Sequence, residues 1–185
     1  MNEAFIQGLF PELSEIQDDD LRAKSVAALK LAMERGGWTE ETVHLAPVSV
    51  SWENVTCGLI EHIRKVTQVC MSCFELLSGY YEQNGSSIDR DTVVCGALLH
   101  DIGKFTEFAL KDGVVTHSDN FNLLRHPLGG AIMAAEVGLP DKIVHLIGVH
   151  SFEGDKSYQT AESKFVRILD LFVFDNSVYG LKKKQ

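Results

Sequence analysis

The sequence predicts an all-α protein, and three of its features support this fold class. Apolar residues recur at helical spacing in several segments, signals that end or begin helices separate those segments, and no segment shows the alternation that marks a strand. The paired Val48 and Val50 are too short a pattern to predict one. A chain of 185 residues with 45% hydrophobic content is long enough to bury one sizeable core. We therefore predict a single domain over residues 1–185.

Helices are predicted from the beginning of the chain. The acids Asp18–Asp20 supply an N-cap and favour the dipole of a helix over residues 21–35, which a pair of glycines ends. Thr39 is expected to cap a short helix that follows. Residues 1–50 as a whole are expected to be helices packed against the rest of the chain, where they form either one wall of a pocket or a homodimer contact.

A long helix and a shorter one come next. The long helix is predicted from about residue 52 to about residue 81, and it ends at the turn-forming residues Asn84–Ser87. Asp89 then caps a helix that leads to His100. The second helix is apolar along most of its length, so it is expected to lie in the core.

The run from Val93 to Lys104 brings an adjacent His and Asp to the end of that second helix. Adjacent residues on a helix point about 100° apart, so His100 and Asp101 can share one ion only near the helix end, which Gly103 indicates. This pair is the predicted centre of a metal site. A His-Asp dipeptide alone is weak support for a metal site. Four other polar residues, each on an apolar helical stripe, strengthen the prediction. These are His62, His126, His150 and Asp170.

His62 is the polar member of an otherwise apolar helical face. Val55, Leu59, Val66 and Val69 share that face with it. A single histidine in such a place is more often a core residue hydrogen-bonded to a backbone carbonyl than a metal ligand. Both interpretations stay open for His62 considered by itself.

Two further histidines lie at predicted helix ends. His126 precedes Pro127, a residue favoured at the first helical position, and Gly138 ends the helix that they begin. His126 is therefore either a metal ligand or a capping residue. His150 continues a stripe that includes Ile143, and it is either a ligand or a group that favours the negative end of the helix dipole.

Asp170 lies within the apolar run 165–174. A buried carboxylate without a partner is unstable by several kcal/mol, so Asp170 needs a cation. Arg167, one helical turn earlier, is the structural alternative to a metal ion.

Taken in order, these residues resemble a known family. The succession from His62 through the His-Asp pair and two later histidines to Asp170 resembles the HD superfamily of metal-dependent phosphohydrolases. Residues 100–104, His-Asp-Ile-Gly-Lys, match its HDIG-type signature. The resemblance implies a helical HD-type bundle with its metal-binding core at residues 55–175 and an N-terminal helical extension at residues 1–50.

The resemblance also implies a set of metal ligands. In the family, one ion is bound by the first His, the His-Asp pair and the last Asp. In the dinuclear subgroup the Asp of the pair bridges to a second ion, which two further histidines hold. The implied ligands of the first ion are His62, His100, Asp101 and Asp170, and the implied ligands of the second are Asp101, His126 and His150. Such ligands suit one or two divalent transition-metal ions per chain, of Fe, Mn, Zn, Ni or Co.

The implied activity is hydrolysis of a phosphoester or phosphoanhydride of a small molecule, with a nucleotide as the first candidate. Two ions about 3.5 to 4 Å apart activate water and neutralise charge on phosphate oxygens, so no protein nucleophile is required. Asp101 and Lys104 are the predicted catalytic residues. Lys104 is either a point charge for a phosphate or a solvated lysine at a helix end. His117, in a polar loop, is predicted to contact the substrate together with Lys104.

Two other functions use the same ligand set. One is a di-iron oxygenase of the same fold, in which the metal pair activates O₂. The other is a metal-containing module that senses a nucleotide without turning it over. Oxygen consumption linked to the redox state of iron favours the first, and hydrolysis under anaerobic conditions favours a phosphohydrolase.

Composition excludes several other partners. The formal net charge of −9 opposes binding to a nucleic acid polymer, whose phosphates demand a basic surface. No apolar run is long enough to cross a bilayer, and the N-terminal residues lack the pattern of a secretory signal, so a cytoplasmic location is expected. The four cysteines all fall in predicted helices and are expected to be reduced core thiols. They are Cys57, Cys70, Cys73 and Cys95.

Overall fold

A computed structural model describes residues 1–184, and it is helical, as the sequence predicts. Short 3₁₀ turns occur at Pro11–Glu15, Val43–Leu45 and Phe152–Gly154. The α-helices of the described chain are α1 (Glu3–Leu9), α2 (Asp19–Arg35), α3 (Leu59–Gln83), α4 (Arg90–Leu99), α5 (Lys104–Glu107), α6 (His126–Glu136), α7 (Asp141–Val149) and α8 (Ala161–Ser177).

Several helix ends follow the local sequence. Asp18, Asp89 and Thr160 each accept a hydrogen bond from a backbone N–H in the first turn of α2, α4 and α8. These short polar side chains satisfy donors that have no partner within the helix. Gly138 follows α6 with a φ of +77°, a conformation that glycine adopts without steric penalty.

The start of the long helix α3 differs from the prediction. The helix begins at Leu59 rather than near residue 52, so Val55 and Cys57 lie in the segment before it. The backbone N–H of Leu59 donates to Ala46 O at 2.8 Å, and the N–H of Val48 donates to Cys57 O at 3.4 Å. The backbone before α3 therefore pairs with a neighbouring segment instead of continuing the helix.

A two-stranded antiparallel hairpin corrects the prediction of a chain without strands. Its strands are β1 (Phe108–Lys111) and β2 (Val114–His117), joined by Asp112 and Gly113 with φ of +52° and +78°. An Asp-Gly pair with positive φ is typical of a tight hairpin turn. His117 therefore lies at the end of a strand opposite Phe108, and not in a loop.

Helix α4 is the centre of the bundle. It contacts α2, α3, α7 and α8, and every residue from Thr92 to Leu99 is buried. Ile6 and Leu29 from the first 50 residues belong to the same hydrophobic cluster as Leu98 of α4. Because neighbouring helices surround α4, the residues at its C-terminal end have a fixed position inside the molecule.

The cysteines of the chain are free thiols, as predicted, but only Cys70 and Cys95 are buried in the core, whereas Cys57 and Cys73 are partly exposed. Cys57 lies outside any helix, which corrects the prediction that all four are helical. Burial raises the pKa of Cys95 to about 12, so this thiol stays protonated and unreactive at neutral pH. Within residues 1–184, no helix is both long and apolar enough to cross a membrane.

Candidate metal centre

The six predicted ligands come together at one place, although they are far apart in the sequence. The end of α4 brings its His-Asp pair to the middle of the bundle, where four other helices each contribute one side chain. These contributions are His62 from α3, His100 and Asp101 from the end of α4, His126 from the start of α6, His150 from the end of α7 and Asp170 from α8.

Asp101 lies between two groups of side chains. Its Oδ2 is 3.4 Å from Nε2 of both His62 and His100, and its Oδ1 is 3.4 Å from Nε2 of His126 and 3.5 Å from Nε2 of His150. Each carboxylate oxygen thus faces a different pair of imidazoles. The ligand atoms lie within 4.8 Å of one another in two sets, which are His62, His100 and Asp170, and Asp101, His126 and His150.

Backbone carbonyls fix the orientation of two of these imidazoles. His100 Nδ1 is 2.7 Å from Ala97 O, and His150 Nδ1 is 2.7 Å from Ile147 O. A carbonyl oxygen can only accept a hydrogen bond, so each Nδ1 carries the proton and donates it. In the neutral ring Nε2 is then left with a free lone pair directed at the carboxylates. Both rings are therefore oriented as metal ligands need to be.

The buried polar atoms of this centre fit a bound cation. His100 Nε2 and Asp101 Oδ1 have no hydrogen-bond partner, Asp101 Oδ2 has the Lys104 ammonium beside it at 2.7 Å, and both His100 and Asp101 are almost completely buried. Lone pairs of a neutral imidazole and of a carboxylate repel each other unless positive charge lies between them. A divalent ion of the kind that imidazole and carboxylate bind removes this repulsion.

The pKa values of the same groups show how strongly the centre attracts positive charge. Burial lowers the pKa of His100, but the carboxylates of Asp101 and Asp170 outweigh it and raise the value to about 10. Burial raises the pKa of Asp101, but Lys104 and His100 lower it well below its usual range. Burial likewise opposes ionisation of Asp170, and the nearby imidazoles of His100 and His62 lower its pKa. Both carboxylates are therefore ionised.

Two of the residues do not make the contacts that would explain them without a metal ion. His62 Nε2 lies 3.0 Å from Oδ1 of Asp170, so this nitrogen faces a carboxylate and not a backbone carbonyl. Arg167 does not pair with Asp170 and instead donates to Asp155 and to Ser151 O. Asp170 therefore faces the imidazoles and not the arginine on its own helix.

Glu107 is a residue of the centre that the sequence analysis did not identify. Its Oε1 accepts a hydrogen bond from the backbone N–H of His126 at 2.5 Å, and its Oε2 is 3.3 Å from His126 Nδ1. Arg125 Nη1 lies 3.0 Å from the same carboxylate. A carboxylate on the second nitrogen of a ligand histidine fixes its orientation and raises its basicity. The sequence signal for Glu107 is an acid between two phenylalanines, Phe105 and Phe108, both of which the structure shows to be buried.

A cavity of about 400 Å³ opens over the metal centre and includes both predicted substrate contacts in its lining. Lys104 Nζ is 2.7 Å from Asp101 Oδ2 and 5.6 Å from the centre of the Phe174 ring. His117 stacks on Phe121 with 3.7 Å between the ring centres. Burial lowers the pKa of His117, so its ring is mostly neutral at pH 7. Lys104 therefore joins the carboxylate centre to the cavity, and His117 forms part of the wall.

Comparison with known proteins identifies the family. Residues 59–174 match the HD domain, so the chain belongs to the HD-domain family. It is also similar to the dihydroneopterin 2',3'-cyclic phosphate phosphodiesterase of Methanocaldococcus jannaschii, with 32% identity over 148 residues. That alignment covers 77% of this chain and 57% of the archaeal protein, so the chain spans little more than half of that relative's length. No solved structure shows significant similarity to the chain.

Proposed function

We propose that this chain is a metal-dependent hydrolase that cleaves a phosphoester or phosphoanhydride of a small molecule. The observation that carries the proposal is that Asp101 lies between imidazoles of two ligand groups, each 3.4 to 3.5 Å from one of its oxygens, in the lining of a cavity. The archaeal relative is a cyclic phosphate phosphodiesterase, which supports the same reaction class. A nucleotide or a nucleoside cyclic phosphate is the first substrate class to test.

The proposed roles follow the two ligand groups. When bound, divalent ions of this type lower the pKa of a water molecule and neutralise charge on phosphate oxygens. Asp101 touches both groups, so it is the proposed bridging ligand. The proposed ligands of the first ion are His62, His100, Asp101 and Asp170, and those of the second are Asp101, His126 and His150.

Two other side chains are proposed to contact the substrate. The side chain of Lys104 is 14% exposed and lies between the carboxylate centre and the cavity, so its ammonium group would meet a phosphate oxygen that enters. His117 has a mostly neutral ring on the cavity wall, suited to a hydrogen bond or to packing against the rest of the substrate. No side chain is required as a nucleophile.

The size and charge of the cavity favour a small molecule over a polymer. A volume of about 400 Å³ falls in the range of sites for single small ligands. The protein as a whole has a net charge of −9, which repels a nucleic acid chain. Within the cavity, positive charge at the loaded metal centre would attract a single phosphorylated group.

The reaction class is tested by hydrolysis without oxygen. Protein loaded in turn with Mn, Fe, Co, Ni and Zn is incubated anaerobically with nucleoside mono-, di- and triphosphates and with nucleoside 2',3'-cyclic phosphates, and products are separated by chromatography. We expect at least one metal to support hydrolysis that a chelator abolishes and added metal restores. Oxygen uptake with ferrous iron and no hydrolysis would identify an oxygenase instead. Binding without turnover would identify a sensing module.

The number of ions is tested with single-ligand variants. We expect one to two ions per chain by elemental analysis of the parent, and about one fewer in His126→Ala and in His150→Ala. His62→Ala should instead weaken the first site. His44→Ala, at an exposed position away from this centre, is the control and should keep the full content. Less than about 0.2 equivalents in the parent after reconstitution would contradict the metal site.

A further inference from the structure

Two segments distant in sequence lie side by side at the edge of the cavity. Residues 181–184 return to pair in antiparallel fashion with residues 50–53, and we call these two segments together the strap. Two backbone hydrogen bonds hold the pairing, one from the N–H of Glu53 to Lys182 O at 2.8 Å and one from the N–H of Lys184 to Ser51 O at 2.9 Å, on either side of the opposed residues Trp52 and Lys183.

The opposed residues of the strap both line the cavity. Directly opposite residues in an antiparallel pair project from the same face, whereas the next residue along each segment projects from the other. Trp52 and Lys183 both belong to the cavity wall that also includes Asp101 and His150, whereas Lys182 and Lys184 do not. Ser51, next to Trp52, also lines this cavity, so on the first segment the lining extends beyond one face. The strap therefore contributes one aromatic residue and one lysine to the wall of the cavity over the metal centre.

Lys183 differs from the other two cations of the cavity. Lys104 pairs with Asp101, and Arg125 pairs with Glu107 and also with Glu153. Within residues 1–184, Lys183 has no ion pair with a carboxylate. Among the three cations of this wall it is thus the one that no carboxylate of residues 1–184 pairs, and an anionic ligand would compensate its charge.

The remaining wall is rich in flat apolar rings. Phenylalanines from four parts of the chain line the same cavity as the indole of the strap. An aromatic ring offers a large apolar face on which a planar group of a ligand can stack. The aromatic residues of the lining are Trp52, Phe108, Phe121, Phe152 and Phe174.

We propose that the strap is a substrate-binding element in which Lys183 binds the anionic part of the ligand and Trp52 stacks on a planar ring of its non-reacting part. The substrate class is then a phosphorylated molecule that carries an aromatic heterocycle. This inference rests on the proposed function, since it takes the cavity over the metal centre to be the site of hydrolysis.

The test separates the two contributions by binding. Metal-loaded protein is titrated calorimetrically with the 5'-methylenephosphonate analogue of adenosine monophosphate, whose C–P bond is not hydrolysed, and with methylphosphonate, which lacks the ring. Lys183→Met should weaken binding of both ligands about tenfold. Trp52→Leu should weaken the ring-bearing analogue at least about tenfold and leave methylphosphonate within about twofold. Lys182→Met, the matched neighbour on the strap, should change neither by more than about twofold.

A second variant and two further measurements distinguish loss of the indole contact from misfolding of Trp52→Leu. Trp52→Phe keeps an aromatic face, so it should retain most of the affinity for the ring-bearing analogue, but the quenching of indole fluorescence on binding should be lost. Circular dichroism and metal content should match the parent for every variant. The proposal is overturned if the parent binds neither ligand, if Lys182→Met and Lys183→Met behave alike, or if Trp52→Leu keeps its affinity for the ring.

The experiments distinguish refutation of the strap proposal from refutation of the proposed hydrolase function. Selective binding as described, without hydrolysis of any substrate, would leave the strap as a binding element and refute the hydrolase. Hydrolysis with kcat/KM unchanged in Lys183→Met and Trp52→Leu would leave the hydrolase and refute the strap.

Discussion

Asp101→Asn is expected to lower kcat/KM for hydrolysis by at least about 10³-fold, which corresponds to roughly 4 kcal/mol in the activation barrier. The two carboxylate oxygens of Asp101 face different imidazole pairs at 3.4 to 3.5 Å. An amide of the same shape has only one oxygen. In either orientation its NH₂ group would face one of the two pairs, and that group cannot act as a metal ligand. The variant should therefore lose one ion and the bridge between the sites.

The measurement must separate lost chemistry from lost structure. Removing the charge of Asp101 leaves Lys104 without its carboxylate at 2.7 Å, and an unpaired ammonium at this depth is destabilising. Circular dichroism and elemental analysis should accompany the kinetics, with Asp141→Asn as a control at an exposed acid in the first turn of α7. Hydrolysis by Asp101→Asn within about tenfold of the parent would refute the bridging role.

The clustering of the six proposed ligands was predictable because these polar residues interrupt apolar patterns. His62 and Asp170 have apolar neighbours at helical spacing, and a polar group in such a stripe requires a partner. The pattern specifies that partners exist but not which groups meet. Several structural alternatives, such as Arg167 beside Asp170, were removed only when the structure placed Arg167 against Asp155.

The parts of the site that were not predicted depend on contacts between distant segments. Glu107 becomes important through its bond to the backbone of His126, and nothing in the local sequence identifies that partner. Lys183 lines the cavity only because its segment pairs with the one that contains Trp52. The hairpin had a local signal, Asp112-Gly113, but its strands have four residues each and no clear alternation.

The late start of α3 has the same physical origin. Val55 fits the helical stripe of His62, but the backbone around residues 46–48 bonds to residues 57–59 and ends the helix at its N-terminal side. Side-chain periodicity cannot report such a competition between backbone hydrogen bonds. Backbone pairing with a distant segment therefore sets the residue at which α3 begins, while the apolar face sets which side of the helix is buried.

A different kind of constraint applies at Gly103, where we expect Gly103→Ala to destabilise the fold by about 2 to 3 kcal/mol. The φ of Gly103 is −63°, which any residue adopts, so backbone conformation does not require glycine here. The requirement is space. A Cβ at this position would lie 2.1 Å from the carbonyl oxygen of His126 and 2.7 Å from its Cα. Both are backbone atoms, so helix α6 has to move away.

That movement would also displace a proposed metal ligand. His126 begins α6 and faces Asp101, and a shift of its backbone would break its hydrogen bond to Glu107 as well. Gly103→Ala should therefore lose about one ion per chain and more than about 10²-fold in kcat/KM, the scale expected for a misplacement of about 1 Å. The first ligand group, which includes His62 and Asp170, does not depend on α6 and should keep its ion.

Gly79→Ala is the matched control, and its expected effect has the opposite sign. Gly79 lies inside α3, where an added Cβ meets nothing within 4 Å. Alanine is the better helix former, so this variant should gain about 0.5 to 1 kcal/mol of stability and keep its metal content and activity. Urea denaturation and elemental analysis of both variants check the contrast. If Gly103→Ala keeps the stability and both ions of the parent, α6 is free to shift, and close packing at Gly103 does not position His126.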